Sequence, residues 1–262
     1  MDRISELNPK QRFSSRVENY VKYRPGYPPQ VLDYLKKQCR LTVESVVADI
    51  GSGTGLLAEI FLKHGNRVYG VEPNAEMRAA GESFLREYPS FHSVAGSAEN
   101  TTLPAGSVDI VVAGQAFHWF RPEAARREFR RILRPGGYVA LIWNIRDVAA
   151  TPFLKEYEKL LHRFAPDYGA INRNQVNRKS LKILFGGRTY RSQSFRNEQQ
   201  FDYVALKGRL LSSSYTPLPG EPTHEPMLNR LQEIFDKFAE NGKVNFLYNT
   251  ELIFGKLNGP AD

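Results

Sequence analysis

A short apolar run enters a turn with glycine at every second position: Val46-Val47-Ala48-Asp49-Ile50-Gly51-Ser52-Gly53-Thr54-Gly55. Leu56, Leu57, Ile60 and Phe61 follow at helical spacing. A strand, a glycine turn and a helix start in this order form a site where backbone N–H groups face a ligand. Glycine suits such a turn for two reasons. Positive φ costs it little, and the missing Cβ lets a ligand lie against the backbone. The spacing is G-x-G-x-G, which departs from the G-x-G-x-x-G of nicotinamide sites. A second apolar strand, 67–71, ends at Glu72. That is about 20 residues past the first glycine, where a βαβ unit sets an acid over a ribose. A carboxylate can accept hydrogen bonds from both ribose hydroxyls.

The rest of the chain continues the alternation. Pro28 to Cys39 reads as a helix, and Cys39 sits on its apolar stripe as a core thiol. Helices over 56–64, 75–88 and 122–133 alternate with strands over 91–95, 108–113 and 138–143. The pattern predicts a parallel sheet with right-handed crossovers and a ligand at the carboxyl ends of its strands. Asp49, Glu72, Ser97, Gln115 and Asn144 all fall at or just after strand ends, so they should converge. Beyond 145 the alternation breaks. Thr151 to Phe164, Phe201 to Leu211 and Glu225 to Phe238 read as helices, Tyr190 to Phe195 and Val244 to Leu257 as strands, and 173–178 as a loop.

Taken in order, Asp49-x-Gly51-x-Gly53-x-Gly55, Glu72, Gly96-Ser97-Ala98-Glu99 and Leu133-Arg134-Pro135-Gly136-Gly137 resemble the class I S-adenosylmethionine-dependent methyltransferases. Tyr23-Arg24-Pro25-Gly26-Tyr27-Pro28 and Gln115-Ala116-Phe117-His118-Trp119-Phe120 are similar to the small-molecule branch that includes trans-aconitate methyltransferase. The resemblance implies one α/β domain: a three-layer, doubly wound, mostly parallel seven-stranded Rossmann-like sheet with its last strand antiparallel. It divides the chain into a lid and first helix at 13–40, a cofactor-binding core at 45–144, a helical insertion near the substrate at 145–185 and a sheet-completing segment at 186–262. The implied cofactor is S-adenosylmethionine. Gly51, Ser52, Gly53 and Gly55 would let its methionyl and ribose parts lie against the turn, and Asp49 would either fix the turn by accepting backbone N–H bonds or hold the cofactor's ammonium. Glu72 would bind the ribose hydroxyls, with Asn74 and Met77 as ribose and adenine neighbours. Ser97, Ala98 and Glu99 would meet the adenine, with Ser97 standing where an Asp is common. Gln115 would lie beside the methyl group, and Tyr20 would close over the cofactor or pack on the domain.

Catalytic and acceptor-binding candidates are fewer. His118 is open as a general base, an orienter of a substrate carboxylate or a cap for the next helix. A carboxylate acceptor is already a nucleophile and needs a cationic clamp instead of a base; Arg24, Arg146 and Tyr215 are the candidates for it. No metal site is expected. The net charge of +8 raises nucleic acid as a partner. The basic residues are dispersed, however, and Arg126, Arg127, Arg130, Arg131 and Arg134 form a helix face with no interleaved aromatic residue for base stacking. The place after the fourth strand also lacks the Pro-Pro-aromatic motif of amino-methylating nucleic-acid enzymes. A small-molecule substrate is therefore preferred, with a nucleic-acid enzyme or a non-enzymatic cofactor-binding module as the alternatives. No apolar run reaches the ~20 residues of a membrane span. One cysteine and a start without an apolar core suggest a cytoplasmic monomer or homodimer.

Overall fold

The computed structural model describes residues 22–165, 168, 177–187, 189–213 and 215–257. Tyr20, the lid segment before residue 22 and the stretch 173–176 lie outside them. Seven strands form one sheet: β1 Val46–Ile50, β2 Arg67–Val71, β3 Phe91–Val94, β4 Val108–Gly114, β5 Leu133–Arg146, β6 Arg191–Phe201 and β7 Val244–Lys256, in the order β3-β2-β1-β4-β5-β7-β6. β1 to β5 are parallel, and β7 runs antiparallel to both β5 and β6. The order reverses between β1 and β4, which is the topological switch where such sheets take ligands.

Among the described residues, eight α-helices precede or join the strands: α1 Pro29–Cys39, α2 Ala58–His64, α3 Ala75–Phe84, α4 Pro122–Ile132, α5 Pro152–Phe164, α6 Arg178–Phe185, α7 Tyr203–Leu211 and α8 His224–Phe238. Alternate residues of the central strands supply two separate cores. Val47, Ile110, Val112, Ala140 and Ile142 face α1 and α2, against Val31, Leu35, Phe61 and Leu62. Ala48, Ile50, Val111, Ala113, Leu141 and Trp143 face α4 and α6, against Phe129, Ile132, Leu184 and Phe185. Each fully buried Phe or Leu contributes roughly 1.5–3 kcal/mol. A third core joins α5, α7 and α8 to Phe246 and Tyr248 of β7.

Boundaries shift in ways the residues explain. The Pro135-Gly136-Gly137 turn is absorbed into β5 as an irregularity: the β4 pairing slips between Val108 and Ile110, and Gly136 takes φ +82°. The arginine face of α4 is not uniformly solvated. Arg131 pairs with Glu128 at 2.7 Å, Arg134 pairs with Asp109 at 2.7 Å, and the Arg126 guanidinium packs over Gly186. Cys39 is a half-buried thiol whose pKa burial pushes up to about 12, as expected of an inert core position.

Candidate functional site

The glycine turn is tighter than a ligand cradle requires. Gly51, Gly53 and Gly55 have φ of +68°, +55° and +87°, the left-handed region that favours glycine. A Cβ on Gly51 would sit 2.7 Å from the Ala116 Cβ, and one on Gly55 would sit 2.5 Å from the Leu85 Cδ1. These glycines are required by the protein's own packing. Backbone donors are committed too. Gly51 and Ser52 N–H bond Val71 O at 2.8 and 3.2 Å, Gly55 N–H bonds Ser52 O at 2.9 Å, and Gly53 N–H bonds Glu72 Oε2 at 3.0 Å. The expectation that these N–H groups face a ligand is therefore corrected. Four of the turn's five donors, all but Thr54 N–H, are used internally, and what it mainly presents is shape and the carboxylate beneath it.

That carboxylate is Asp49. It is fully buried, and neither oxygen has a hydrogen-bond partner among the described residues. Burial, then the nearby Glu72 charge, raise its pKa to about 8; the Ala58 backbone lies close enough to oppose them slightly but not in hydrogen-bond geometry with either oxygen. Glu72 is buried at the end of β2 and ties strand to turn, its other oxygen accepting from Asn74 N at 2.8 Å. The Asn74 side chain caps α3 by accepting from Met77 N at 2.9 Å, and the Met77 thioether methyl lies against Gly53. Ser97 accepts from Glu99 N at 3.3 Å, Ala98 is buried, and Glu99 accepts from Arg121 N at 2.9 Å.

One cavity of about 330 Å³ opens at the switch in strand order, within the usual size range of about 300–1,000 Å³ for small-molecule sites. Asp49, Gly51, Ser52, Gly53, Gln115 and His118 line it, together with Arg24, Arg146 and Tyr215. Glu72, Asn74, Met77 and the 97–99 stretch are not among its lining residues; they stand along the ends of β2 and β3. Gln115 is held in a left-handed conformation, φ +56°, and its amide donates to Asn144 O at 3.0 Å. The His118 Nδ1 is buried without a hydrogen-bond partner among the described residues, and burial lowers the imidazole pKa to about 4. A ring of that basicity is neutral near pH 7 and a weak proton acceptor.

Arg146 is buried, not a surface residue. Its Nη2 donates to Glu158 and to the Tyr168 hydroxyl at 2.6 Å, and its guanidinium lies 5.1 Å from the Tyr157 ring centre. Arg24 donates to the Ser212 hydroxyl and carbonyl at 3.1 and 3.0 Å. Burial works against Tyr215 ionisation, but Arg146, Arg209 and Arg24 outweigh it and hold its pKa below the ordinary phenol value. Arg209, on α7, is the residue that sequence reasoning missed. The signal was present: Arg209 lies three residues after Leu206 and beside Leu210, on the apolar stripe of its helix. Among the described residues no three His, Cys, Asp or Glu side chains gather as a metal site, and no helix is long and apolar enough to cross a membrane.

Comparison with known proteins agrees with this geometry. Residues 48–141 match the family described as a methyltransferase domain. An uncharacterized methyltransferase of Schizosaccharomyces pombe is 34% identical over 152 residues, 58% of this chain and 59% of that protein. One from Mycobacterium tuberculosis is 38% identical over 135 residues, 52% of this chain and 53% of its own length. The alignments thus span little more than half of these curated relatives. A putative type II methyltransferase from Anaeromyxobacter dehalogenans superposes with a TM-score of 0.63 at 21% identity, covering 91% of this chain and all of the other. A putative methyltransferase of an antibiotic biosynthesis pathway from Anabaena variabilis also gives 0.63 at 21% identity, covering 90% of this chain and 99% of the other. The chain therefore has the Rossmann-like fold of the solved methyltransferases, and its residues 48–141, which hold the glycine turn, Glu72 and His118, match the methyltransferase domain family.

Proposed function

We propose that this chain transfers a methyl group from S-adenosylmethionine to a small molecule bearing a carboxylate. The observation that carries the reading is a single cavity lined both by the glycine turn with the unpartnered Asp49 carboxylate and by a cluster of arginines. A buried carboxylate without a partner is costly unless a cation or donor meets it. The ammonium and sulfonium of the cofactor are cations of the right kind, so the residues present fit the group.

Asp49, Gly51, Ser52, Gly53 and Gly55 would hold the methionyl part, Glu72 and Asn74 the ribose, and Met77, Ser97, Ala98 and Glu99 the adenine. Gln115, fixed by Asn144, would border the methyl. When bound, the cofactor supplies an electrophilic methyl on a neutral leaving group. The protein's task is alignment, since holding donor and acceptor about 3–3.5 Å apart removes much of the bimolecular entropy barrier. Arg24 and Arg146 would orient the acceptor, with Tyr215 beside them. A carboxylate oxygen carries no proton to remove, which suits a site whose one histidine is a weak base.

Calorimetry with S-adenosylmethionine and its demethylated product tests the cofactor half. Saturable binding of both is the expected result, and absence of binding to either ends the reading. Product release across carboxylates, phenols and amines then tests the acceptor half, with turnover expected on the acids.

A further inference from the structure

Arg209 carries a charge that the protein does not answer. It is fully buried on α7 and lines the cavity. Its Nε and Nη1 reach only neutral, distant partners, the Tyr248 hydroxyl at 3.3 Å and the Ser213 hydroxyl at 3.4 Å. One face of the guanidinium lies over Phe246, 5.8 Å from the ring centre. No carboxylate pairs with it among the described residues, whereas the neighbouring Arg146 has Glu158. Burying a guanidinium costs several kcal/mol unless an anion compensates, and proteins retain such a cost mainly at binding sites.

We propose that Arg209 is the anion-binding residue of the acceptor site and selects acceptors that carry a carboxylate. The inference rests on the methyltransferase reading and deepens it. Arg146 is already neutralised by Glu158 and bonded to Tyr168, so it can help orient an acceptor but has no unanswered charge to bind one. Arg209 presents a planar fork that matches one carboxylate in bidentate geometry. Tyr27, Tyr168, Tyr215 and Trp119 line the same cavity, so the body attached to that carboxylate meets aromatic walls.

The test uses the full chain with acetate, benzoate and succinate as probes, each paired with its neutral amide, in thermal-shift and calorimetric titrations. Wild type is expected to bind at least one acid and not its amide. Arg209→Met should lose that binding by roughly 10- to 100-fold, the worth of a charge-assisted hydrogen bond. Without ligand it should melt higher than wild type, by about 2–4 °C, because an uncompensated buried charge has gone. Arg209→Lys keeps the charge and should keep part of the acid response, so a poorly folding Met variant does not close the question. Acid binding unchanged in both variants, or acids and amides binding alike, overturns the proposal. Binding of S-adenosylmethionine is measured in the same samples. A chain that binds the cofactor but ignores every acid overturns Arg209 alone. A chain that binds acids but not the cofactor overturns the methyltransferase reading alone.

Discussion

Asp49 and Arg209 are buried side chains of opposite sign that line one cavity and form no ion pair with each other. Each therefore has a consequence that can be measured. With its carboxyl raised to about 8, Asp49 keeps a proton in the folded chain that an unfolded aspartate loses at about 3.9. Its contribution to stability is complete below the lower value and is lost as pH rises through the upper one. Between about pH 5 and pH 8 wild type should lose on the order of 3 kcal/mol that Asp49→Asn does not lose, read from denaturation midpoints at each pH. A cationic ligand favours the ionised carboxylate, so S-adenosylmethionine should bind more tightly as pH rises toward 8 and release a proton on binding. Calorimetry in buffers of different ionisation enthalpy detects that proton. Glu72 belongs to the same scale. Glu72→Gln keeps an acceptor for Gly53 N–H but removes the charge and turns an amide NH2 toward Asn74 N–H, and should both weaken cofactor binding by about tenfold and lower the melting temperature.

At the scale of the element, the turn between β1 and α2 can be compared with the one inside β5. Gly51 and Gly136 both have positive φ, but a Cβ on Gly51 meets Ala116 and one on Gly136 meets nothing within 4 Å. Gly136→Ala should cost only backbone strain, about 1–2 kcal/mol. Gly51→Ala adds a clash and should cost at least about 1 kcal/mol more, as read by urea denaturation. A Gly51 variant no less stable than the Gly136 variant would contradict the packing account. The order of strands and helices through 143 was legible because hydrophobic period and glycine placement are local signals. The use of the turn was not. Whether its N–H groups face a ligand or Val71 O depends on how β2 docks, which no window of sequence reports. The place of Arg209 on an apolar stripe was legible, but what it meets was not: Phe246 and Tyr248 of β7, some 40 residues downstream, set its surroundings. His118 was legible as a position beside the cavity, while the burial that lowers its basicity was not.

For the molecule as a whole, the charge of +8 is partly internal. Arg146 and Arg209 are buried, and Arg131 and Arg134 on the α4 side are paired with acids. A nucleic-acid surface needs exposed cations in register with phosphates. A gel-shift series with duplex DNA and RNA is expected to show no complex even at low salt; a complex that dissociates steeply as salt concentration rises would point the other way. The sheet itself binds the parts together through side-chain amides, Asn144 foremost. Asn144, near the end of β5, donates to the Pro25 and Gly26 carbonyls and accepts from Asn197 on β6 and Thr250 on β7. Arg24, Pro25 and Tyr27 of that tethered stretch line the cavity. The entrance is thus stitched to three strands through Asn144, with Asn197 donating separately to the Gly26 carbonyl at 2.9 Å and Arg24 bonded to Ser212. A leucine of similar bulk in its place would leave the strands paired and those two tethers intact while weakening the hold on the threshold, so a protease should cut faster at 22–27 than in wild type before any loss of the folded core.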